Sequence, residues 1–355
     1  MTDLIDKPAN IRSGEELNVE KLEFYLREKF STEAGQLRIQ QYPSGHSNLT
    51  YAIRLGEREL VLRRPPFGSK VRSAHDMGRE FRVLSKLHAV YPHAPEVLAF
   101  CDDEAILGAP FYLMQPIHGI ILRKNLPPEI KLSPEKARKL NVSLIDELIA
   151  LHRVDYAKAG LGELGKPEGY MARQVRGWIE RYHNSKTHEY SEVEKIASWL
   201  EQNMPAAQAA TLIHNDFKFD NVVLDAGDIT KIKGVLDWEM ATIGDPLTDL
   251  GTTLAYWVNQ TDPEELKQNL SDVTTQEGSL SREEVAQYYA AHTNSDLSHI
   301  AFYLAFARFK LAVIVQQIFY RYQQGLTQDA RFATLPTRVI ALLRAALHAA
   351  LTNQI

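Results

Sequence analysis

The sequence has little of what would place it in several common classes of protein. Cys101 is the single cysteine among 355 residues, so the chain cannot form an internal disulfide or a cysteine-based zinc site. Basic residues are outnumbered by acidic ones, 40 against 45, and the net charge of −5 argues against a nucleic-acid partner. No internal repeat and no low-complexity segment is found. What remains is an ordinary globular composition, 45% hydrophobic and 24% charged.

Signals for membranes and for export are also weak. Met1–Leu4 lack the basic and apolar regions of a signal peptide. The most apolar stretch, residues 300–322, is long enough to span a bilayer, but it carries Arg308, Lys310 and two glutamines. We therefore predict that it is a buried helix and that the protein is cytoplasmic, with no membrane partner.

Strand patterns dominate the first third of the chain. Residues 37–62 alternate and are rich in β-branched and aromatic types, with breaks at Pro43–His46 and Gly56–Glu57, which predicts three strands joined by turns. An amphipathic helix follows the third strand, and two short apolar runs, residues 96–101 and 111–115, predict two more strands.

Helical patterns dominate the rest. Ser133 followed by Pro134 is typical of a helix start, and helical spacing then continues to the last residues. The predicted fold class is α+β. Residues 1–116 are expected to form a small antiparallel-sheet lobe with one helix, and residues 117–355 a larger helical lobe.

One group of polar residues indicates the chemistry. Residues 214–221 fit the pattern H-x-D-x-x-x-x-N, and an apolar run delivers another carboxylate, Asp237, sixteen residues after Asn221. Phosphoryl transfer needs a carboxylate that holds and deprotonates the attacking hydroxyl, and oxygen ligands that fix Mg²⁺ on the phosphates. Asp216 can be that base, and Asn221 and Asp237 can be the metal ligands. Taken alone, the first cluster would fit a polar turn about as well.

Together with the upstream sheet pattern, this group resembles the aminoglycoside phosphotransferase/choline kinase family. The closer resemblance is to the kinase-like domain found ahead of an acyl-CoA dehydrogenase in some longer proteins, and it is carried by residues 45–51, 62–66 and 237–239. It implies a bilobal protein-kinase-like fold, with ATP and Mg²⁺ as cofactors. It also implies catalysis by Asp216 and a small-molecule substrate bearing a hydroxyl group.

The resemblance further implies contacts to ATP. Backbone N–H groups of one turn would cover the phosphates: Gly45, His46, Ser47 and Asn48. Arg63, where many relatives have lysine, would meet the α- and β-phosphates and pair with Glu80. Arg64 takes the phosphate role if the strand register differs by one residue. The alternative for Glu80 is a solvated helix face.

Other assignments have structural alternatives. Gln115 and Ile117 fall where the family's hinge binds adenine through backbone groups, although this segment could equally be core. Lys218 is assigned to catalysis through neutralisation of charge on the transferring phosphate, with an exposed loop lysine as the alternative. Asp249 is expected to hold the catalytic loop without reacting.

The substrate is the least defined part of the prediction. Arg173 and Arg176 share a face of a predicted helix and suit phosphate or carboxylate groups, unless they only coat a solvated surface. They favour an anionic hydroxylated substrate. The resemblance to dehydrogenase-linked domains implies a hydroxyacyl-CoA, with an amino-alcohol or aminoglycoside-like compound as the alternative. Two other functions stay open. A nucleotide-binding pseudokinase is supported by Arg63 in place of lysine, and a protein kinase is disfavoured by Asp237-Trp238-Glu239 in place of Asp-Phe-Gly.

Overall fold

The computed structural model describes residues 7–30, 35–43, 48–67, 76–123, 125–268, 270, 273–327 and 329–355. The chain forms two compact units. We call Met1–Ile121, Ala157–Leu161 and Asn221–Met240 the sheet unit, and Leu122–Tyr156, Gly162–Asp220 and Ala241–Ile355 the helical unit. The segment Asn221–Met240 thus groups with the sheet, far from it in sequence. The predicted division into lobes at residue 116 stays a prediction.

The sheet unit is built on five antiparallel strands in the order β1-β2-β3-β5-β4. Their bounds are β1 Leu37–Gln41, β2 Leu49–Leu55, β3 Arg58–Arg64, β4 Val97–Cys101 and β5 Phe111–Met114. Leu60 and Leu62 of β3 belong to a buried apolar cluster on one face. Because side chains alternate along a strand, Arg63 points to the opposite face from these leucines. The strands lie where the alternating pattern predicted them.

Three helices accompany the sheet: α1 Val19–Lys29, α2 Met77–Leu87 and α3 Glu104–Leu107. The carboxylate of Asp76 caps α2 by accepting a hydrogen bond of 2.8 Å from the backbone N–H of Arg79. This fixes the start of the helix that carries Glu80. The single turn of α3 was not predicted, because four residues are too few to show a helical period.

A separate hairpin in the sheet unit positions the two predicted metal ligands. Its strands are β7 Val222–Leu224 and β8 Ile232–Val235, and Val222 pairs with Val235. Asn221 directly precedes β7 and Asp237 follows β8 by two residues, so antiparallel pairing brings both to the same end of the hairpin. Gly119 lies against this hairpin, where a Cβ atom would come within 2.2 Å of the Leu224 carbonyl oxygen.

The helical unit holds the other helices and one two-stranded ribbon, β6 with β9. The elements are α4 Pro134–His152, α5 Tyr170–Ser185, α6 Ser191–Gln202, β6 Thr211–Ile213, β9 Thr242–Gly244, α7 Pro246–Tyr256, α8 Glu264–Lys267, α9 Arg282–Thr293, α10 Ile300–Gln323 and α11 Leu335–Thr352. Ser133 caps α4 as predicted. Helix α10 passes a length and composition test for a membrane span, yet 83% of its most apolar window is buried in the protein. The prediction of a buried helix is confirmed.

The predicted fold class, α+β with an antiparallel sheet and a larger helical part, is confirmed by this architecture. Each unit has its own buried apolar residues.

Close packing of α7 on α10 gives a first prediction. A Cβ atom on Gly251 would come within 2.7 Å of the Tyr303 carbonyl oxygen, whereas one on Gly162 would meet nothing within 4 Å. We expect Gly251→Ala to destabilise the protein, because overpacking costs about 1–3 kcal/mol and the gain in helix propensity is about 1 kcal/mol. Gly162→Ala is the control and should change little. Urea unfolding midpoints test this, and equal midpoints for both variants would contradict it.

Candidate active site

Arg63 is the centre of the charged cluster in the sheet unit. Its Nε lies 3.3 Å from Glu80 Oε2, one Nη is hydrogen-bonded to Asp237 Oδ1, and the same Nη lies 3.5 Å from Glu239 Oε2. The ion pair between Arg63 and Glu80 that the sequence predicted is therefore present. The pairing also includes Asp237, the predicted metal ligand, which the sequence did not indicate.

Burial and pairing act in opposite directions on these charges. Burial alone would lower the pKa of Arg63, but the nearby carboxylates of Glu80 and Asp237 raise it well above its ordinary value. Burial raises the pKa of Glu80, while the Arg63 guanidinium opposes that shift. The Tyr112 side chain and the backbone of Trp238 also hydrogen-bond to the Glu80 carboxylate. Arg63 thus stays positively charged and is paired with the carboxylates of Glu80 and Asp237.

Arg64 has a different environment, which settles the question of register. It is 2% exposed, its guanidinium carbon lies 3.6 Å from the centre of the Phe67 ring, and its Nε donates to the Pro65 carbonyl oxygen at 3.1 Å. The cation–π contact gives Arg64 a structural role. Arg63, and not Arg64, is the residue beside Glu80 and Asp237.

The hairpin end presents two oxygen donors that fit Mg²⁺. The backbone N–H of Leu236 donates to the Asn221 carbonyl oxygen at 2.7 Å, and Asp237 follows with φ +70°. A positive φ in a residue other than glycine is uncommon, and it persists only where the surroundings fix it. Among the described residues no group of three or more His, Cys, Asp or Glu could hold a metal. Two protein ligands suit Mg²⁺, which takes its other ligands from phosphate and water.

Glu239 is a member of the cluster that the sequence reasoning did not assign. Asn48 Nδ2 donates to Glu239 Oε2 at 2.7 Å, and Arg79 donates to the Glu239 carbonyl oxygen at 3.0 Å. Asn48 thus contributes a side-chain bond here. The other three residues of its predicted phosphate turn lie outside the described residues: Gly45, His46 and Ser47. The only signal for Glu239 was its place in Asp237-Trp238-Glu239.

The hinge residues are only partly compatible with the predicted adenine contact. The backbone N–H of Gln115 donates to the Glu96 carbonyl oxygen at 2.9 Å, so that group is engaged. The side chain of Ile117 packs on Gly234, where a Cβ atom would lie 2.5 Å from Ile117 Cδ1. In the described part of the chain the backbone N–H of Ile117 has no backbone acceptor. The hinge role of both residues stays a prediction, with Ile117 as the available donor.

In the helical unit, Asp216 is held by two side chains. Lys218 Nζ lies 2.8 and 3.0 Å from its two carboxylate oxygens, and the Tyr256 hydroxyl donates to Oδ1 at 2.9 Å. Burial would lower the pKa of Lys218, but Tyr256 and Asp216 raise it, so the lysine stays charged. The lysine is 19% exposed, which excludes the alternative of an exposed loop residue. Tyr256 was missed, since no motif connects it to Asp216.

The loop that carries Asp216 is held by the buried carboxylate of Asp249. Asp249 accepts hydrogen bonds from the backbone N–H groups of His214 at 2.6 Å and Asn215 at 2.7 Å. Its pKa is lowered, because the His152 bond and charge outweigh the effect of burial. The expectation that Asp249 holds the loop is confirmed.

The roles of two further residues in this network, His152 and Lys310, were not predicted from the sequence. His152 Nε2 lies 3.2 Å from Asp249 Oδ2, and Lys310 Nζ donates to the Asn215 carbonyl oxygen at 3.0 Å. Burial lowers the pKa of Lys310 to about 8. Nothing in the spacing could have linked His152 to a residue 97 positions away. A lysine inside an otherwise apolar helix was a signal for Lys310, because a buried ammonium group requires a polar partner.

The two arginines proposed for substrate binding lie on α5 with exposed side chains. The Arg173 guanidinium is hydrogen-bonded to the carbonyl oxygens of Lys166 and Glu168, which gives it a structural role at the start of this helix. Arg176 donates to the Ala172 carbonyl oxygen at 3.2 Å within the helix. Their role in substrate binding stays a prediction.

Comparison with known proteins places this site in a family. The model of the Phosphotransferase enzyme family matches residues 38–280. Acyl-CoA dehydrogenase family member 10 of Mus musculus is 34% identical over 316 residues, and family member 11 of Rattus norvegicus is 33% identical over 316 residues. The matches cover 88% and 87% of this chain but 29% and 40% of those proteins. The chain therefore spans less than half the length of these relatives.

Solved structures agree on the fold. A Ralstonia eutropha protein, assigned by inference as an aminoglycoside phosphotransferase, is 27% identical with a TM-score of 0.79 and covers 94% of this chain and 98% of its own. Choline kinase from Cryptosporidium parvum has a TM-score of 0.62 at 11% identity, covering 94% and 95%. The predicted enzyme class, an ATP-dependent phosphotransferase with an alcohol group as acceptor, is confirmed. With its charged cluster, its held aspartate and this family match, the chain belongs to the phosphotransferase enzyme family.

Proposed function

We propose that this protein transfers the γ-phosphate of ATP to a hydroxyl group of a small metabolite, with Mg²⁺ as cofactor. The observation that carries the proposal is the Asp216 carboxylate, which Lys218 and Tyr256 hold in one position. Its loop is fixed in turn by Asp249 through two backbone N–H groups. An oriented carboxylate in a restrained loop is what a general base for a hydroxyl requires.

The proposed reaction uses Asp216 as the base. The acceptor hydroxyl donates a hydrogen bond to the Asp216 carboxylate, and its oxygen attacks the γ-phosphorus of ATP. The bond from that phosphorus to the β–γ bridging oxygen breaks, and ADP leaves. The hydroxyl proton passes to Asp216 and then to solvent, so the products are a phosphate ester, ADP and a proton. Lys218 offsets negative charge at the base and the transferring group.

Asn221 and Asp237 are the residues that would hold the metal. When bound, Mg²⁺ neutralises charge on the β- and γ-phosphates and fixes their orientation. Arg63 is hydrogen-bonded to Asp237, and its Nε is paired with Glu80. We infer that Arg63 turns its guanidinium toward the α- and β-phosphates when ATP binds, while Glu80 keeps its Nε in place.

A nucleotide-binding pseudokinase is the second candidate. The specific observation in its favour is that Arg63 already pairs with Asp237, because a permanent pair of this kind would compete with Mg²⁺. The ordered Asp216 site favours an active enzyme.

As acceptor we propose a hydroxylated acyl compound, supported by the names of the relatives in acyl-CoA metabolism. An amino alcohol or an aminoglycoside-like compound is the alternative.

Replacing the base gives the direct test of activity. Asp216→Asn keeps the shape of the side chain but removes the proton acceptor, so we expect kcat to fall by roughly 10²–10⁴ with ATP affinity nearly unchanged. Asp296→Asn, an exposed aspartate of the helical unit, is the matched control. Phosphate transfer and ATP calorimetry are the measurements. A folded Asp216→Asn protein with full turnover would remove Asp216 from the mechanism.

Neighbouring arginines test the phosphate contact. Arg63→Met should weaken ATP binding by about tenfold or more, roughly 1.4 kcal/mol, and Arg64→Met should weaken it much less because Arg64 stacks on Phe67. Removing Arg63 leaves Glu80 buried and unpaired, which itself is destabilising. The double variant Arg63→Met/Glu80→Gln avoids that penalty and should bind ATP as poorly as Arg63→Met. A larger loss in Arg64→Met would reverse the assignment.

A further inference from the structure

A small cavity, open to solvent on one side, lies in the helical unit beside the side chains that hold Asp216. Its volume is about 160 Å³. Lys218 and Tyr256 line it, and both of these residues are hydrogen-bonded to Asp216. A molecule in this cavity would therefore lie next to the direct partners of the proposed base.

The cavity also contains a cation, Arg338. Arg338, on α11, makes no hydrogen bond and no ion pair within 4 Å with any residue that the structure describes, and its Nε is fully buried. Burial lowers the pKa of Arg338, although Tyr256 and Asp220 oppose the shift. A buried Nε–H with no acceptor is unfavourable in the protein alone. An anionic or carbonyl oxygen of a ligand would relieve this cost.

Asp220 faces the same cavity and is also unsatisfied. Its Oδ1 is buried with no hydrogen-bond partner among the described residues, and burial raises its pKa. Asp220 and Arg338 attract each other, yet they do not form an ion pair within 4 Å. Two opposite charges that line one cavity without touching leave room for a ligand that offers an acceptor to Arg338 and a donor to Asp220.

Size and the remaining wall limit what this ligand can be. The remaining wall of this open cavity is mainly apolar: Leu144, Phe219, Trp257 and Leu270, with Thr253 and Thr274. A volume near 150 Å³ is known to hold a ligand of about six carbon atoms. The part of a ligand that lies inside the cavity is therefore a short carbon chain with polar groups at defined positions, and it is smaller than a whole aminoglycoside.

We propose that Arg338 determines acceptor specificity by binding the carboxyl group of a short hydroxy acid, whose hydroxyl is presented to Asp216. The carboxyl group is a free carboxylate or the carbonyl of a thioester, since both offer oxygen to the guanidinium. This inference rests on the proposed function, because the hydroxyl must reach the base. It also moves anion recognition from Arg173, whose guanidinium is bonded to backbone carbonyls, to Arg338 on α11.

The experiment compares matched acceptors with the full chain and Mg·ATP. The acceptors are hydroxybutanoates substituted at carbon 3 or carbon 4, their amides, their CoA thioesters, and the amino alcohols of the same length. We expect the wild type to prefer a carboxylate or a thioester over the amine by at least about tenfold in kcat/KM. Arg338→Gln should reduce that preference to about twofold with KM for ATP unchanged, and Arg338→Glu should reverse it.

Arg344→Gln is the matched control, because Arg344 lies on the same helix with its side chain 62% exposed. It should leave the preference as in wild type. Turnover of the free acid identifies a carboxylate ligand, and turnover of the thioester alone identifies the thioester carbonyl. Preference for the amine, or a preference unchanged in folded Arg338→Gln, would overturn the inference.

Binding measurements distinguish a failure of this inference from a failure of the proposed function. If the wild type phosphorylates none of these acceptors, calorimetry with the free acid and the thioester decides, and absence of binding by both overturns the role of Arg338. Failure of the proposed function would instead appear as failure to bind Mg·ATP. Phosphorylation of a different class of alcohol by Arg338→Gln and wild type alike would keep the function and reject the inference.

Discussion

The burial of the Arg63 guanidinium is the constraint on which the charged cluster of the sheet unit depends. A cation on the central strand of the sheet, 11% exposed, must be neutralised by residues that are far from it in sequence. Glu80 comes from the capped helix α2, and Asp237 comes from the end of the hairpin β7–β8. The pairing holds the side chain of Asp237, the proposed metal ligand, whose backbone has a left-handed conformation.

In the helical unit, the charged groups around Asp216 also have partners. The carboxylate of Asp216 is offset by Lys218, the buried Asp249 is satisfied by two backbone N–H groups, and the buried Lys310 is satisfied by a carbonyl oxygen. Arg338 Nε and Asp220 Oδ1 are the exceptions, as buried polar atoms with no hydrogen-bond partner among the described residues. Both residues line the cavity beside Lys218 and Tyr256, and for this reason we propose that a ligand is recognised there.

Local rules predicted much of the fold and part of the site. Alternation predicted the strands, and the Ser133-Pro134 start predicted α4. One motif with its spacing singled out Asp216, Asn221 and Asp237, whose roles stay predictions. The structure adds contacts that spacing cannot contain. Tertiary packing brings Tyr256 to Asp216 and His152 to Asp249 in the helical unit, and Glu239 to Arg63 in the sheet unit. The pairing of Arg63 with Asp237 was missed for the same reason, since 174 residues separate them. Arg173 was predicted to bind substrate because the sequence does not show that its guanidinium is hydrogen-bonded to the backbone carbonyls of Lys166 and Glu168.

The central claim is that Asp237 exchanges its bond to Arg63 for a metal ion when ATP binds. Calorimetry of ATP binding with and without Mg²⁺, for wild type and for Asp237→Ala, tests this most directly. Asp102→Ala, an exposed aspartate of the sheet unit, is the control. We predict that Mg²⁺ tightens ATP binding to wild type and to Asp102→Ala by about tenfold or more, about 1.4 kcal/mol, and has no effect on Asp237→Ala. Equal tightening in all three proteins would contradict the account and place the metal on other residues.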